Sequence, residues 1–214
     1  MTRSSARQFS RVRVLSILFI AVAACAVAQE KDEGEDGGIE LRQYYSGKLG
    51  FYHPDPSLNN GLILGVDGLT EFVRTRFAIM TEVDYYQKQT VSTLVNPPPF
   101  ISRQSLTVIP IHINLAWKIF DAYEVGGSAS VGIGGGGYLY FYSIEYPTAG
   151  GSVITDQRTG GNAFGSAFAR FLVGRFFIEP RVFIASKSRD TAAGSLSYVV
   201  NPSGYSIMVG IQSD

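Results

Sequence analysis

Residues 106–118 read Leu-Thr-Val-Ile-Pro-Ile-His-Ile-Asn-Leu-Ala-Trp-Lys, and their alternation decides the class of fold. Ile109, Ile111, Ile113, Leu115 and Trp117 share one parity; His112, Asn114, Ala116 and Lys118 share the other. A period of two places successive side chains on opposite faces of a strand, whereas a helix needs apolar residues every three or four positions. The same alternation recurs on both sides of this stretch. Ile79, Val83 and Tyr85 oppose Met80, Glu82, Asp84 and Tyr86; Ile178, Val182 and Ile184 oppose Glu179, Arg181, Ala185 and Lys187. Near the end, Tyr205, Ile207, Val209 and Ile211 oppose Gly204, Ser206, Met208 and Gly210. Weaker stretches at about 41–53, 61–72, 122–143 and 162–173 bring the expected strands to eight.

The connections carry the next signal. Val73–Thr75, Ile119–Asp121 and Val173–Arg175 are short, while Pro54–Asn60, Thr90–Arg103, Ser143–Gly160 and Ser188–Pro202 are long and rich in turn residues. Long and short alternate from start to end. An even-numbered antiparallel meander with all its long loops at one end is the pattern of an up-and-down transmembrane β-barrel, with short periplasmic turns and longer extracellular loops. Pro97-Pro98-Pro99 stiffens the second long loop, and Gly150-Gly151 loosens the third.

Alternation alone does not say which face is outside, because a soluble lipocalin-like barrel has the same period with its apolar face inward. Three features favour lipid on the outside. The non-apolar face of the fifth strand carries Gly126, Ser128, Ser130, Gly132, Gly134 and Gly136, small residues suited to a crowded lumen rather than to a watery exterior. Aromatics bracket the short turns: Phe72 and Phe77, then Trp117, Phe120 and Tyr123, then Phe171, Phe176 and Phe177. Others (Phe51, Tyr52, Tyr85, Tyr86, Tyr140 to Tyr142, Tyr205) adjoin the long loops, and two such bands are expected to form interfacial girdles. The third feature is an export signal. Four arginines precede an apolar run from Val14 to Ala24, and Ala26-Val27-Ala28 supplies a small-x-small cleavage site, so residues 1–28 are expected to be removed. A competing reading takes Val22-Ala23-Ala24-Cys25 as a lipobox with Cys25 acylated. The acidic, glycine-bearing segment 29–39 reads as a disordered lead-in without the ligand spacing of a Ca²⁺ loop, leaving residues 40–214 as the barrel domain. Without its leader the chain has 14 basic and 18 acidic residues, which gives no electrostatic footprint for nucleic acid.

Several segments, in order, resemble the outer-membrane β-barrel domain family of small bacterial porin-like proteins. FAIMTEVDYYQK (77–88) is similar to that family's Glu-x-x-Tyr third strand, and LTVIPIHINLAW (106–117) to its Ile-Pro strand. FFIEPRVFIAS (176–186), GYSIMVGIQ (204–212) and GKLGFY (47–52) extend the likeness across most of residues 45–212. The resemblance implies an outer-membrane location, contact with outer-membrane lipid, and assembly by the barrel assembly machinery. The chain departs from the family in ending Ile211-Gln212-Ser213-Asp214 rather than on an aromatic residue.

If the apolar faces meet lipid, then Glu82, Asp84, His112, Lys118, Glu179 and Arg181 point inward. Buried charges must be paired or hydrated, so an ion-pair network across the lumen is expected, with Glu82 or Asp84 against Arg181. Arg170 is ambiguous, because Phe164, Phe168 and Leu172 share its parity. No nucleophile–base pair and no metal-ligand spacing is evident. His53, ahead of Pro54, reads as a turn residue, and His112 has no second histidine beside it. The expectation is a non-enzymatic barrel without cofactor, its lumen filled by side chains, with a structural or loop-mediated interaction role; the alternative is a narrow channel for small or apolar solutes.

Overall fold

The computed structural model describes residues 40–54, 60–94, 100–122, 126–147, 151–191 and 197–213. The proposed signal at 1–28, Cys25, the lead-in at 29–39, Pro97-Pro98-Pro99, Tyr123 and Gly150 lie outside these residues. Among these residues ten strands follow one another: β1 (Leu41–Pro54), β2 (Gly61–Phe72), β3 (Phe77–Leu94), β4 (Phe100–Ala122), β5 (Gly127–Pro147), β6 (Val153–Val173), β7 (Phe176–Ala185), β8 (Ser188–Thr191), β9 (Ser197–Val200) and β10 (Gly204–Ser213). Eight of them close into an antiparallel barrel in the order β1-β10-β7-β6-β5-β4-β3-β2, and β8 with β9 forms a separate hairpin inside the last long loop. Closure runs from Tyr45↔Ser213 to Pro54↔Gly204, so neither the first nor the last stave presents an open edge there.

Side chains are distributed inside out. Phe51, Ile113, Ile133, Val173 and Ile184 face outward, Ile113 at 62% and Ile184 at 73% exposed, whereas Glu82, Asp84, His112, Glu179 and Arg181 are almost wholly enclosed. Water would reverse both preferences. This is a barrel whose exterior is built for hydrocarbon. On β4 the apolar exterior begins at Ile111, because residues 106–110 are all buried, Ile109 among them. Pro110 sits mid-strand without an N–H, and the β3–β4 ladder skips Asp84–Tyr85 opposite Ile109–Pro110.

The glycines of the inner face are explained by what stands across the ladder. Gly132 pairs with Phe168, Gly210 with Phe177 and Gly65 with Asp84, and a Cβ on any of the three would overlap that partner's side chain. Eight staves make a narrow ring, so a large inward side chain requires a small neighbour.

Two expectations about the connections are corrected. The turn placed at Ile119–Asp121 is strand: a bulge between Lys118 and Phe120 shifts the register, turns both Ile119 and Phe120 outward, and delays the reversal to Gly126, whose φ is +61°. The long loops Thr90–Arg103 and Ser143–Gly160 are largely ladder, since β3 pairs with β4 out to Leu94↔Phe100 and β5 with β6 out to Pro147↔Val153. Threonine, valine and isoleucine in these stretches favour extended backbone, and their polar neighbours mimic a loop composition.

Replacing Ile113 with Arg tests the facing assignment. Urea unfolding from lipid vesicles is expected to show a loss of about 2–4 kcal/mol, the cost of a cation on the lipid face near mid-depth. A loss under about 1 kcal/mol would place this face at an interface or in water.

Candidate functional site: the barrel lumen

Five strands bring cations and carboxylates together at the middle of the barrel. Lys48 comes from β1, Asp67 from β2, Glu82 and Asp84 from β3, Arg170 from β6, and Glu179 and Arg181 from β7. Glu179 is the hub. Its carboxylate accepts from Lys48 Nζ at 3.0 Å, Arg181 Nη2 at 2.7 Å and Arg170 Nε at 2.7 Å. Arg170 also forks onto Asp67, with Nη2–Oδ2 at 2.7 Å and Nη1–Oδ1 at 3.2 Å, and Arg181 Nη2 reaches Glu82 Oε2 at 2.6 Å. Asp67 and Glu82 stand directly opposite each other on β2 and β3, an arrangement that repels unless a cation intervenes. Lys48 does so, in contact with Glu82 and 3.4 Å from Asp67.

His112 extends the network. Its Nδ1 lies 2.9 Å from Arg181 Nη1 and 3.3 Å from Asn114 Nδ2, and its Nε2 lies 3.1 Å from the same Arg181 Nη1 and 3.2 Å from Asp84 Oδ2; a ring proton on Nε2, donated to Asp84, lets Nδ1 accept from Arg181 and Asn114. Asn114 then accepts from Ser166 Oγ at 2.9 Å. Glu82, Asp84 and His112 are the three groups among the described residues whose ligand atoms, within 4.8 Å of one another, are spaced to hold a metal ion. Arg181 already lies against Glu82 and His112, however, and its charge opposes a second cation at that point.

Aromatic rings frame the ions. Arg170 stacks over Phe177 at 4.2 Å and Arg181 over Phe168 at 5.0 Å. Toward the long loops the lumen turns aromatic: Tyr52, Tyr86, Tyr138, Tyr140, Phe164 and Phe183 are buried in one cluster, with Tyr52 edge-on to Tyr86 at 5.1 Å and to Phe183 at 5.5 Å. The last long loop closes over them. Val200 joins the cluster, Tyr52 Oη donates to the Pro202 carbonyl, Tyr138 Oη donates to the Ser186 carbonyl at 2.6 Å, and Ala185 N donates to Ser203 Oγ at 2.9 Å.

The structure brings Glu82, Asp84, His112, Glu179 and Arg181 together and leaves Lys118 apart. Lys118 sits near the short turns, partly exposed, 3.1 Å from Glu71 and 3.2 Å from Asp121, because the bulge beside it lies at the barrel's end where water reaches. Phe177, expected in the girdle, is inside instead, because the parity of β7 that carries Glu179 and Arg181 also carries Phe177. For the same reason Tyr52, Tyr86 and Tyr140 line the lumen rather than the outer aromatic band. Phe77, Trp117, Phe120, Phe171 and Phe176 do face outward, and Phe72 is half-buried. Arg170 points inward with Phe164 and Phe168, with no bulge needed. Lys48, Asp67 and Ser166 complete the network beyond the residues named from sequence, joined by Arg170, whose facing the sequence left open, and Asn114, read there only as inward parity. Lys48 was visible as an inward-parity charge between Ser46 and Gly50, and Asp67 lies two positions from Gly65, the mark of the crowded face.

No family model matches the chain, and no curated protein sequence matches it. Among solved structures it is similar to Ail, the attachment invasion locus protein of Yersinia pestis, at 9% identity over 83% of this chain and 100% of that one, with a TM-score of 0.43. It is also similar to Neisserial surface protein A (10% identity, 81% and 97% covered, TM-score 0.45). A third is a major outer membrane protein from Thermus thermophilus (8% identity, 80% and 100% covered, TM-score 0.49).

Removing the hub charge is expected to be costly. Glu179→Gln leaves Lys48, Arg170 and Arg181 short of one carboxylate in an enclosed space, and unfolding in lipid should show a loss of about 3–5 kcal/mol. Lys118→Gln, which breaks a partly exposed pair, should cost under about 1 kcal/mol. Equal losses from the two would contradict the distinction between an enclosed network and a wetted rim.

Proposed function

We propose that the protein is an integral outer-membrane barrel that does not conduct, and that works as a fixed scaffold holding a β-sheet outside the membrane for interaction. The observation that carries this reading is the crossing of the lumen by Lys48, Arg170 and Arg181, each bonded to carboxylates on other strands. An ion or solute passing this level must break several charge-assisted bonds in an enclosed site, where such bonds are strong. The aromatic layer and the strap formed by the last loop add a second obstruction on the loop side.

The scaffold reading draws on strand length. A tilted strand crosses a bilayer in about 9–11 residues. β2, β7 and β10 have 12, 10 and 10 residues, whereas β3, β4, β5 and β6 have 18, 23, 21 and 21. The four longer neighbours therefore continue on the long-loop side as a sheet, by roughly 30 Å of strand. Among the described residues, the lumen offers no nucleophile with an activating base, and the one imidazole there is hydrogen-bonded to Arg181 and Asp84, so a non-enzymatic role fits best. Outer-membrane lipid is the partner of the apolar belt, and the barrel assembly machinery is the partner during folding.

Reconstitution into planar bilayers separates the scaffold from a narrow channel. The expected record is a quiet baseline without steady single-channel steps; reproducible unit conductance from the purified, folded barrel would establish the channel instead.

A further inference from the structure

The apolar belt ends at the headgroups of the bilayer, and one short turn there stands out by its charge. β2 and β3 are joined by Val73-Arg74-Thr75-Arg76, on the side that such a barrel turns to the periplasm. The turn is fastened within and on both flanks. Thr75 N donates to the Phe72 carbonyl at 2.9 Å, and Thr75 Oγ accepts from Phe77 N at 3.1 Å. Val73 N donates to the Glu40 carbonyl at 2.9 Å, and Lys118 N of β4 donates to the Arg76 carbonyl at 2.7 Å. Arg74 and Arg76 stand on this frame, and both are exposed.

The carboxylates around the turn are already taken. Arg42 lies 3.8 Å from Glu40, and Lys118 lies 3.1 Å from Glu71 and 3.2 Å from Asp121. Among the described residues Arg74 and Arg76 have no ion-pair partner, and two like charges so close repel each other until an anion joins them. The turn between β6 and β7 is different, since its one arginine, Arg175, already has a partner.

The depth of the pair indicates which anion fits. Phe77 and Trp117 stand opposite each other on β3 and β4, both turned to the lipid side, with ring centroids 5.4 Å apart. Such rings mark the headgroup level of a membrane strand. Arg76 adjoins Phe77, and at about 3.4 Å per residue Arg74 lies within roughly 10 Å of it, at the level of the lipid phosphates. We propose that the β2–β3 turn binds the headgroup of an anionic phospholipid, with Arg74 and Arg76 converging on its phosphate. A guanidinium presents a planar fork of N–H donors that matches phosphate oxygens. A zwitterionic headgroup brings an ammonium that opposes the two arginines, so the anionic lipid is favoured. The inference rests on the membrane reading of the barrel and names the lipid class that one corner of it selects.

Trp117 is the chain's single tryptophan, and its place beside the turn makes it the reporter. The folded barrel, its N-terminal segment retained, is reconstituted in phosphatidylcholine vesicles that carry a minor fraction of acyl-brominated phosphatidylglycerol or, in parallel, acyl-brominated phosphatidylcholine. Quenching of Trp117 is then compared. At low salt the anionic lipid is expected to be favoured about fivefold, the factor that corresponds to roughly 1 kcal/mol of surface attraction. Raising NaCl to about 0.5 M should bring the ratio toward one. The double variant Arg74→Gln, Arg76→Gln should lose the preference, while Arg74→Lys, Arg76→Lys should keep part of it; heat-modifiable migration checks that each variant is folded. Arg158→Gln with Lys187→Gln removes the same charge on the long-loop side and should leave the ratio unchanged. Equal quenching by the two lipids overturns the proposal, as does a preference that the Arg158 and Lys187 changes reduce equally, which makes it an effect of net charge. A preference that emerges only after Glu30, Asp32, Glu33, Glu35 and Asp36 are replaced by their amides also overturns it, because the chain's own acids then outcompete lipid for the arginines. If neither brominated lipid quenches Trp117, its ring is not in hydrocarbon, and the membrane reading fails together with the proposal.

Discussion

Backbone amides and carbonyls have no water to bond inside a bilayer, so every such group on a membrane strand must find a partner on the next strand. In this chain the pairing of β1 with β10 meets that demand for the ring as a whole. An open sheet of eight strands would leave two rows of unsatisfied groups in hydrocarbon, at several kcal/mol for each group. Closed with eight staves, the ring has a narrow interior, and the narrow interior dictates what the inward residues are. The apolar belt outside and the charged lumen inside are two consequences of one ladder.

Within that ring, volume is shared across strands rather than along them. β5 is bare on its inward side at Gly132, Gly134 and Gly136, and β6 fills the room with Phe164 and Phe168. The exchange has an external counterpart: the lipid face of β6 at Ala163, Gly165, Ala167 and Ala169 is small where its lumen face is large. The ions are packed under the same restriction. Three cations from three strands converge on one carboxylate, Glu179, and each is also tied to Asp67 or Glu82 across the lumen. Enclosed charges of this kind add little net stability over an apolar core, but they penalise any arrangement that separates them. They therefore specify which side of each strand faces inward.

The sequence revealed the period, the number of staves and the reversals at Val73–Thr75 and Val173–Arg175, because these depend on local alternation and turn residues. It concealed whatever depends on cross-strand packing. β6 is the clearest case: its inward face is the more apolar one, so alternation by itself left Arg170 unplaced, and Gly132 on the neighbouring strand explains how Phe168 fits inside. The Tyr85-Tyr86 and Phe176-Phe177 pairs are a second case. Aromatic composition marks the ends of a membrane strand, but one member of each pair must point into the lumen, and which one follows from register. Lys118 is a third, placed on the inward parity of a strand whose end has already left the enclosed region. The outer sheet stayed hidden because serine, threonine and glutamine at its positions resemble loop residues, while the ladder that holds them is non-local.

The same constraint that shapes the barrel explains why its outer part is free to differ. Below the bilayer surface an unpaired strand edge is prohibitive; above it, water satisfies the edge and the prohibition lapses. Among the described residues the β2–β3 ladder stops at Ile63↔Tyr86, whereas β3 stays paired with β4 out to Leu94↔Phe100. A closed, ion-filled cylinder contributes rigidity to that platform more directly than an open pore would, because cross-lumen pairs resist the relative sliding of staves. On the scaffold reading, the ion network within and the long strands above belong to one design: side chains that obstruct the lumen also stiffen the ring, and that stiffness is passed to the extended ladder of β3 to β6.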